Sequence, residues 1–259
     1  MQYEGQHSII FGDKHTFRDW KLMPTSRPLF NPPEPKRKYI ELPGGNGSVD
    51  LTESLTGYPV YENRKGSLEF VVINDEWEKW HTRYTKIMEY LHGRKMRAIL
   101  DDDPDFYYEG RFNVSSWDSN NDGTWSNITI DYDVDPFKWS ILSSLDDWLW
   151  DPFNFYTGVI LDSYFRNIDV PSNTEWTEFP VSQEAIGVAP KSPALIIDSD
   201  SGTGMDVKFT NTTLGIETPV THFTDGKHET YDYVMYGTGT KFFFKGKGKV
   251  SIDFRLGRL

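Results

Sequence analysis

The stretch NITIDYDV, residues 127–134, places Ile128, Ile130, Tyr132 and Val134 on one side of an extended chain and Thr129, Asp131 and Asp133 on the other. Side chains on a β-strand alternate between faces, so such a run buries one face and wets the other. The same alternation recurs over residues 68–73, 96–100, 107–114, 194–198, 205–210, 231–236, 241–245 and 249–254. Turn-forming segments separate these runs at short intervals, among them NNDG, TDGK, YGTGT and KGKGK. A chain punctuated in this way is mostly β and folds as sandwiches or small barrels.

One segment departs from the rule. In NDEWEKWHTRYTKIMEYLHG, Trp77, Trp80, Tyr84, Ile87, Met88 and Leu91 recur at helical spacing, Asp75 with Glu78 resembles a capping box, and Gly93 stands where a helix stops. This predicts a single amphipathic helix packed on β structure. Its aromatic stripe reads as core, with sugar or partner binding as the alternative. Between Pro136 and Pro193 the alternation loosens, and prolines at 171, 180, 190 and 193 read as extended connections. A domain boundary is therefore placed near residues 136–155.

The chain of 259 residues is long enough for one large or two ordinary domains with real cores. It has no cysteine, which excludes disulfides, thiolate catalysis and Cys-type zinc sites and suits a reducing compartment. The N-terminal MQYEGQHSIIFGDKH shows no signal-peptide pattern, and no stretch reaches the apolar length of a membrane span, so a soluble cytosolic product is expected. The net charge is -12, and from Asp101 to Asp151 thirteen Asp or Glu stand against Arg111 and Lys138. Such a field repels phosphate backbones and argues against nucleic-acid binding. The acidity reads as a solvated face, or as one that docks on a basic partner.

The candidate motifs point away from chemistry. The glycine-rich LPGGNGSVDLTESLTG, residues 42–57, lacks the lysine of a phosphate loop and runs into strand-like alternation at Val49, Asp50 and Leu51, so it reads as a turn. DSNNDG, residues 118–123, copies the first half of a calcium loop, but Thr129 stands where the closing acid is required. DDDPD, residues 101–105, reads as an exposed turn, because consecutive aspartates point different ways. The histidines at 7, 15, 81, 92, 222 and 228 have no metal-ligand spacing, and no nucleophile elbow is present. No catalytic, cofactor-binding or metal-binding residue is therefore assigned.

The order of certain pieces resembles the distal tail protein (Dit) family of long-tailed bacteriophages and prophages. Phe17, Trp20 and Leu22 open it, and Pro35 leads to the Pro43-Gly44-Gly45-Asn46-Gly47 turn and Asp50-Leu51-Thr52. Asn63-Arg64 precedes the next strand, Leu91-His92-Gly93-Arg94 closes the helix, and Asp103-Pro104 with Tyr107-Tyr108-Glu109-Gly110-Arg111 leads on to Pro136-Phe137. The resemblance covers about the first 140 residues.

It implies a β-sandwich-like, tail-tube-type domain over residues 1–140 with its helix near 75–92. Residues 141–259 would hold a linker and a β-sandwich like galectins or carbohydrate-binding modules. Family membership implies a non-enzymatic virion protein without cofactor or metal, made in the bacterial cytoplasm and built into the tail tip as a baseplate hub. Six copies would form a ring, single or back to back. The ring would join the major tail and tape-measure proteins to the tail-associated fibre or lysin protein, with no membrane insertion and no specific nucleic-acid binding. A carbohydrate- or receptor-binding accessory role, suggested by nine Trp and fourteen Tyr, is the alternative.

Overall fold

The computed structural model describes residues 7–73, 79–119, 125–146, 153–154, 159–160 and 163–259, in two compact units, 1–138 and 139–259. The first unit contains β1 (Ile9–Phe11), β2 (Lys14–His15), α1 (Thr16–Trp20), β3 (Leu22–Pro24), β4 (Tyr39–Glu41) and β5 (Ser48–Asp50). It continues through β6 (Arg64–Ile73), α2 (Lys79–Leu91), β7 (Arg94–Leu100), β8 (Asp103–Ser119) and β9 (Trp125–Val134). Seven of these strands form one antiparallel, curled sheet in the order β2-β1-β7-β8-β9-β6-β3. The long central strands carry the alternation that defines the chain. Leu68 pairs with Ile130 and Phe70 with Ile128, and all four are buried, while the intervening Glu69 and Thr129 lie on the polar face.

The buried face closes over α2 and a cluster of rings. Ile87 and Leu91 are fully buried and Tyr84 and Met88 pack beside them, with Tyr84 edge-on to Trp117 at 5.2 Å. The described part of the helical stripe is therefore core; Asp75, Trp77 and Glu78 lie outside the described residues. Phe30 sits 4.4 Å from Tyr108 and 4.8 Å from Tyr132, and Phe11 4.8 Å from Phe112. Such ring pairs contribute roughly 0.5–1.5 kcal/mol each beyond their buried area. Arg64 is buried among them. Its Nε donates to the Pro136 carbonyl at 2.8 Å and its Nη1 to the Asn31 carbonyl at 3.0 Å, while burial holds its pKa below the usual arginine value.

The second unit opens with β10 (Lys138–Ser143), which straddles the division, and the short pair β11 (Phe153–Asn154) and β12 (Val159–Ile160). Then follow β13 (Ile168–Val170), β14 (Thr177–Val181), α3 (Gln183–Ile186), β15 (Ala194–Ser199), β16 (Met205–Asn211), β17 (Ile216–Glu217) and β18 (Thr221–Phe223). The last four strands are β19 (Gly226–Glu229), β20 (Thr240–Lys245), β21 (Gly248–Asp253) and β22 (Arg255–Arg258). One sheet runs β13-β21-β15-β19 and the other β14-β20-β16-β17, with β18 also on β16. Val250, Ile252, Leu195 and Ile197 from the first face Phe242, Phe244, Val207 and Phe209 from the second in one core, which makes this unit a β-sandwich.

Two sequence expectations change here. The run 231–236 alternates in burial, with Tyr233 and Met235 inside, yet it is not a strand. Its backbone is held by a side chain: the buried Asn211 amide donates to the Val234 carbonyl at 3.0 Å and the Tyr236 carbonyl at 2.9 Å, and Met235 makes only a single bridge to Lys191. The proline-rich stretch, in turn, is more than connection, because it forms β13, β14 and α3. Pro180 is accommodated because β14 is an edge strand, where one missing N–H costs no ladder bond.

Lys191 is the second unit's most unusual side chain. Its ammonium donates to the Arg255 carbonyl at 2.6 Å and to the Ile186 carbonyl, and lies over the Trp139 and Phe254 rings. Those partners favour the cation, but burial dominates and lowers its pKa to about 7. A lysine whose folded pKa is depressed binds fewer protons folded than unfolded between that value and about 10.4, so its contribution to stability rises with pH across that window. Urea titrations at pH 7 and pH 9 should therefore show stability rising more in the native chain than in Lys191→Met.

Gly110 tests the first unit's ladder. A Cβ there would lie 2.3 Å from the Asp133 carbonyl oxygen and 2.4 Å from the Val134 Cα, neither of which can move without breaking the β8–β9 pairing. Gly110→Ala should destabilise by about 1–3 kcal/mol, the usual cost of overpacking, measured by urea denaturation.

Candidate assembly surface

Residues 33–62 leave the curled sheet between β3 and β6 and form a two-stranded arm. Its base is tied by the Pro35–Tyr61 bridge and by N–H groups of Glu62 and Lys36 donating to the Glu34 and Val60 carbonyls, both at 2.8 Å. Further out, Tyr39 pairs with Asp50, Ile40 with Val49 and Glu41 with Ser48. The six residues between the strands turn the chain, with Gly44 at φ 78° and Gly47 at φ 80°, conformations that favour glycine. Beyond β5, the Asp50 carboxylate accepts from the Thr52 N–H at 2.9 Å and from its hydroxyl, which holds Asp50 below the usual carboxylate range. The glycine-rich stretch is thus the tip of a hairpin.

The arm is covered on neither face, and Ile40 and Val49 pair apolar side chains on one of them. Leu55 is 98% exposed, Tyr39 and Leu42 52%, Ile40 45% and Val49 41%, and Leu29 beside the arm's base is 71% exposed. Two strands with no third partner and no buried face are marginal in water, and contiguous exposed apolar surface marks an interaction site. The alternation at Val49–Leu51 announced a strand but not which face, if any, the protein would bury.

Asp101 and Asp102 form the turn before β8, with Asp102 exposed, while Asp103–Asp105 open the strand, and the carboxylates are paired. The Asp101 carboxylate lies 3.3 Å from His15 Nε2, Asp102 accepts from His7 Nδ1 and Arg27 Nε, each at 2.8 Å, and Asp103 accepts from Lys138 Nζ at 2.6 Å. Consecutive residues do point different ways, and each direction meets a base from a distant part of the chain. His15 does two jobs: its Nδ1 accepts from the Phe17 and Arg18 N–H groups, capping α1, which leaves Nε2 to carry the proton toward Asp101. Neither the cap nor the partners were visible in sequence, since the pairs are separated by 75 or more residues for His7 and Arg27.

The other motifs stay apart. DSNNDG falls at the β8–β9 hairpin, where Asp118 pairs with Asn127, its loop residues 120–124 lie outside the described residues, and Thr129 is inside β9. Among the described residues no three His, Asp or Glu side chains gather as a metal set, and His222 is engaged by Asp206 at 2.8 Å and the Thr203 carbonyl. Of the aromatic residues that suggest sugar binding, Trp176 lies under Lys245 at 5.8 Å and Tyr164 stacks on Phe179 at 4.6 Å.

The Dit protein (gp 19.1) of phage SPP1, described as a paradigm of the hub adsorption apparatus in phages infecting Gram-positive hosts, aligns over 98% of this chain and 99% of its own, with TM-score 0.62 and 13% identity. The chain has the Dit fold. That is a likeness of fold, and it extends past the first 140 residues to both units. No family model and no curated protein matches the chain.

Hydrogen bonding from Arg27, then from His7, holds the Asp102 carboxyl below the usual range, so the unfolded chain takes up the proton first on acidification. Its stabilisation is complete above pH about 4 and is lost as pH falls below that value. Thermal melts between pH 7 and pH 3 should show the advantage of the native chain over Asp102→Asn shrinking toward the acid end.

Proposed function

We propose that this protein is a structural, non-catalytic component of a phage tail tip. In this reading it is a distal tail hub whose copies join side to side in a hexameric ring, single or back to back. The ring links the tail tube and tape-measure protein to the fibre, lysin or adsorption proteins below. The observation that carries the reading is the end-to-end match to a hub adsorption protein of known structure. The uncovered arm supports it independently, because a 30-residue segment without its own core acquires stable structure only against another surface.

The chemistry agrees with a scaffold. Side-to-side contacts between unlike patches close into rings when the rotation permits, and sheet edges with hairpins supply them without a cofactor. Asp102, Asp103, Glu109 and Asp133 are paired within the same unit with Arg27, Lys138, Lys95 and Arg97, and Lys65.

Light scattering after size exclusion should give the mass of about six chains, or twice that, at high concentration. Replacing residues 36–60 with a short Gly-Ser link should give a folded monomer. A native chain that stays monomeric at every accessible concentration overturns the ring.

A further inference from the structure

The strand that follows the arm leaves a gap in its own edge. β6 pairs with β9 along all ten residues but with β3 only at Phe70, Val71 and Val72. Thr25 N–H donates to the Glu69 carbonyl at 3.0 Å, so Glu69 turns its backbone groups away from β9; by alternation Ser67 and Lys65 do the same. Asn31 Nδ2 takes the Lys65 carbonyl at 2.9 Å. Between these two closures, the N–H and C=O of Ser67 form no hydrogen bond among the described residues on that side. Instead of continuing β3, residues 26–29 arch away and enclose a cleft of about 390 Å³ lined by Ser26, Arg27, Leu29, Ser67 and Glu69.

The arm carries the matching half. Leu51 N–H donates to the Lys38 carbonyl at 2.8 Å, so Lys38 faces β5 and the next residue, Tyr39, presents its N–H and C=O outward along β4. We propose that the outer edge of β4 in one copy enters this cleft in the next copy, with Tyr39 opposite Ser67, adding a strand to β6. The proposal rests on the ring reading above and names the surfaces that make it. Donor and acceptor are different patches of one chain, the arrangement that closes into rings. The arm supplies about the 20–30 residues that a stable interface engages on each side, and exposed Leu29 stands at the cleft mouth to cover its apolar side chains. Strand addition of this kind takes affinity from main-chain bonds and register from the alternating side chains.

The absence of cysteine gives a clean test. Opposed residues in a strand pair lie within disulfide reach. Mild oxidation of the Tyr39→Cys, Ser67→Cys double variant at ring-forming concentration should give covalent ladders up to the ring, and neither single variant should pass a dimer. Ser67→Pro removes only an outward N–H and is tolerated at an edge; it should keep the native circular dichroism and melting temperature while losing the ring. Native rings by light scattering, combined with an unlinked double variant and an intact Ser67→Pro ring, would overturn this contact and leave the ring standing. A native chain that never exceeds one copy would overturn both.

Discussion

The ladder between β6 and β9 is the constraint on which the rest depends. Ten consecutive pairs run from Arg64–Val134 to Ile73–Trp125, and a slip of one residue would turn Leu68, Phe70, Ile128 and Ile130 out to water. That register sets where β8 adds on one side and where β3 adds on the other. It also sets which backbone groups of Lys65, Ser67 and Glu69 face the open edge. The arm then leaves from the start of the same strand, so the rigid part of the unit and its uncovered part share an anchor.

Burial and exposure are divided sharply along the chain. Residues on either side of the arm contribute Phe30 and Arg64 to the ring cluster under the sheet. The arm itself contributes nothing to that cluster. The described polar groups of the first unit hold chain segments together. Asp101, Asp102 and Asp103 fasten the N-terminal segment, the β3 exit and Lys138, and Arg64 ties Asn31 to Pro136. The Arg64–Asn31 bond joins the residues on either side of the arm.

Much of this was legible in the sequence where a single period governed a long run. NITIDYDV is a half-buried strand with the expected faces, and Ile87 and Leu91 mark the buried side of a helix. The reading failed where backbone groups were satisfied by something other than a neighbouring strand, as at 231–236, where the Asn211 amide replaces the ladder. It also missed short strands whose pattern is two or three residues long, and the pairing of the aspartate run, because contacts across 75 residues leave no local trace. The arm was half-visible. Its turn chemistry announced a hairpin, whereas its exposure on both faces depends on where the sheet ends.

The central claim is that the arm acquires stable structure only against another copy. Amide hydrogen exchange of residues 38–51, followed as the protein is diluted from assembled to single chains, tests it directly. The account predicts strong protection in the assembly and near-complete loss of protection in the single chain, with β6 and β9 protected in both. Equal protection of the arm at every dilution would contradict it.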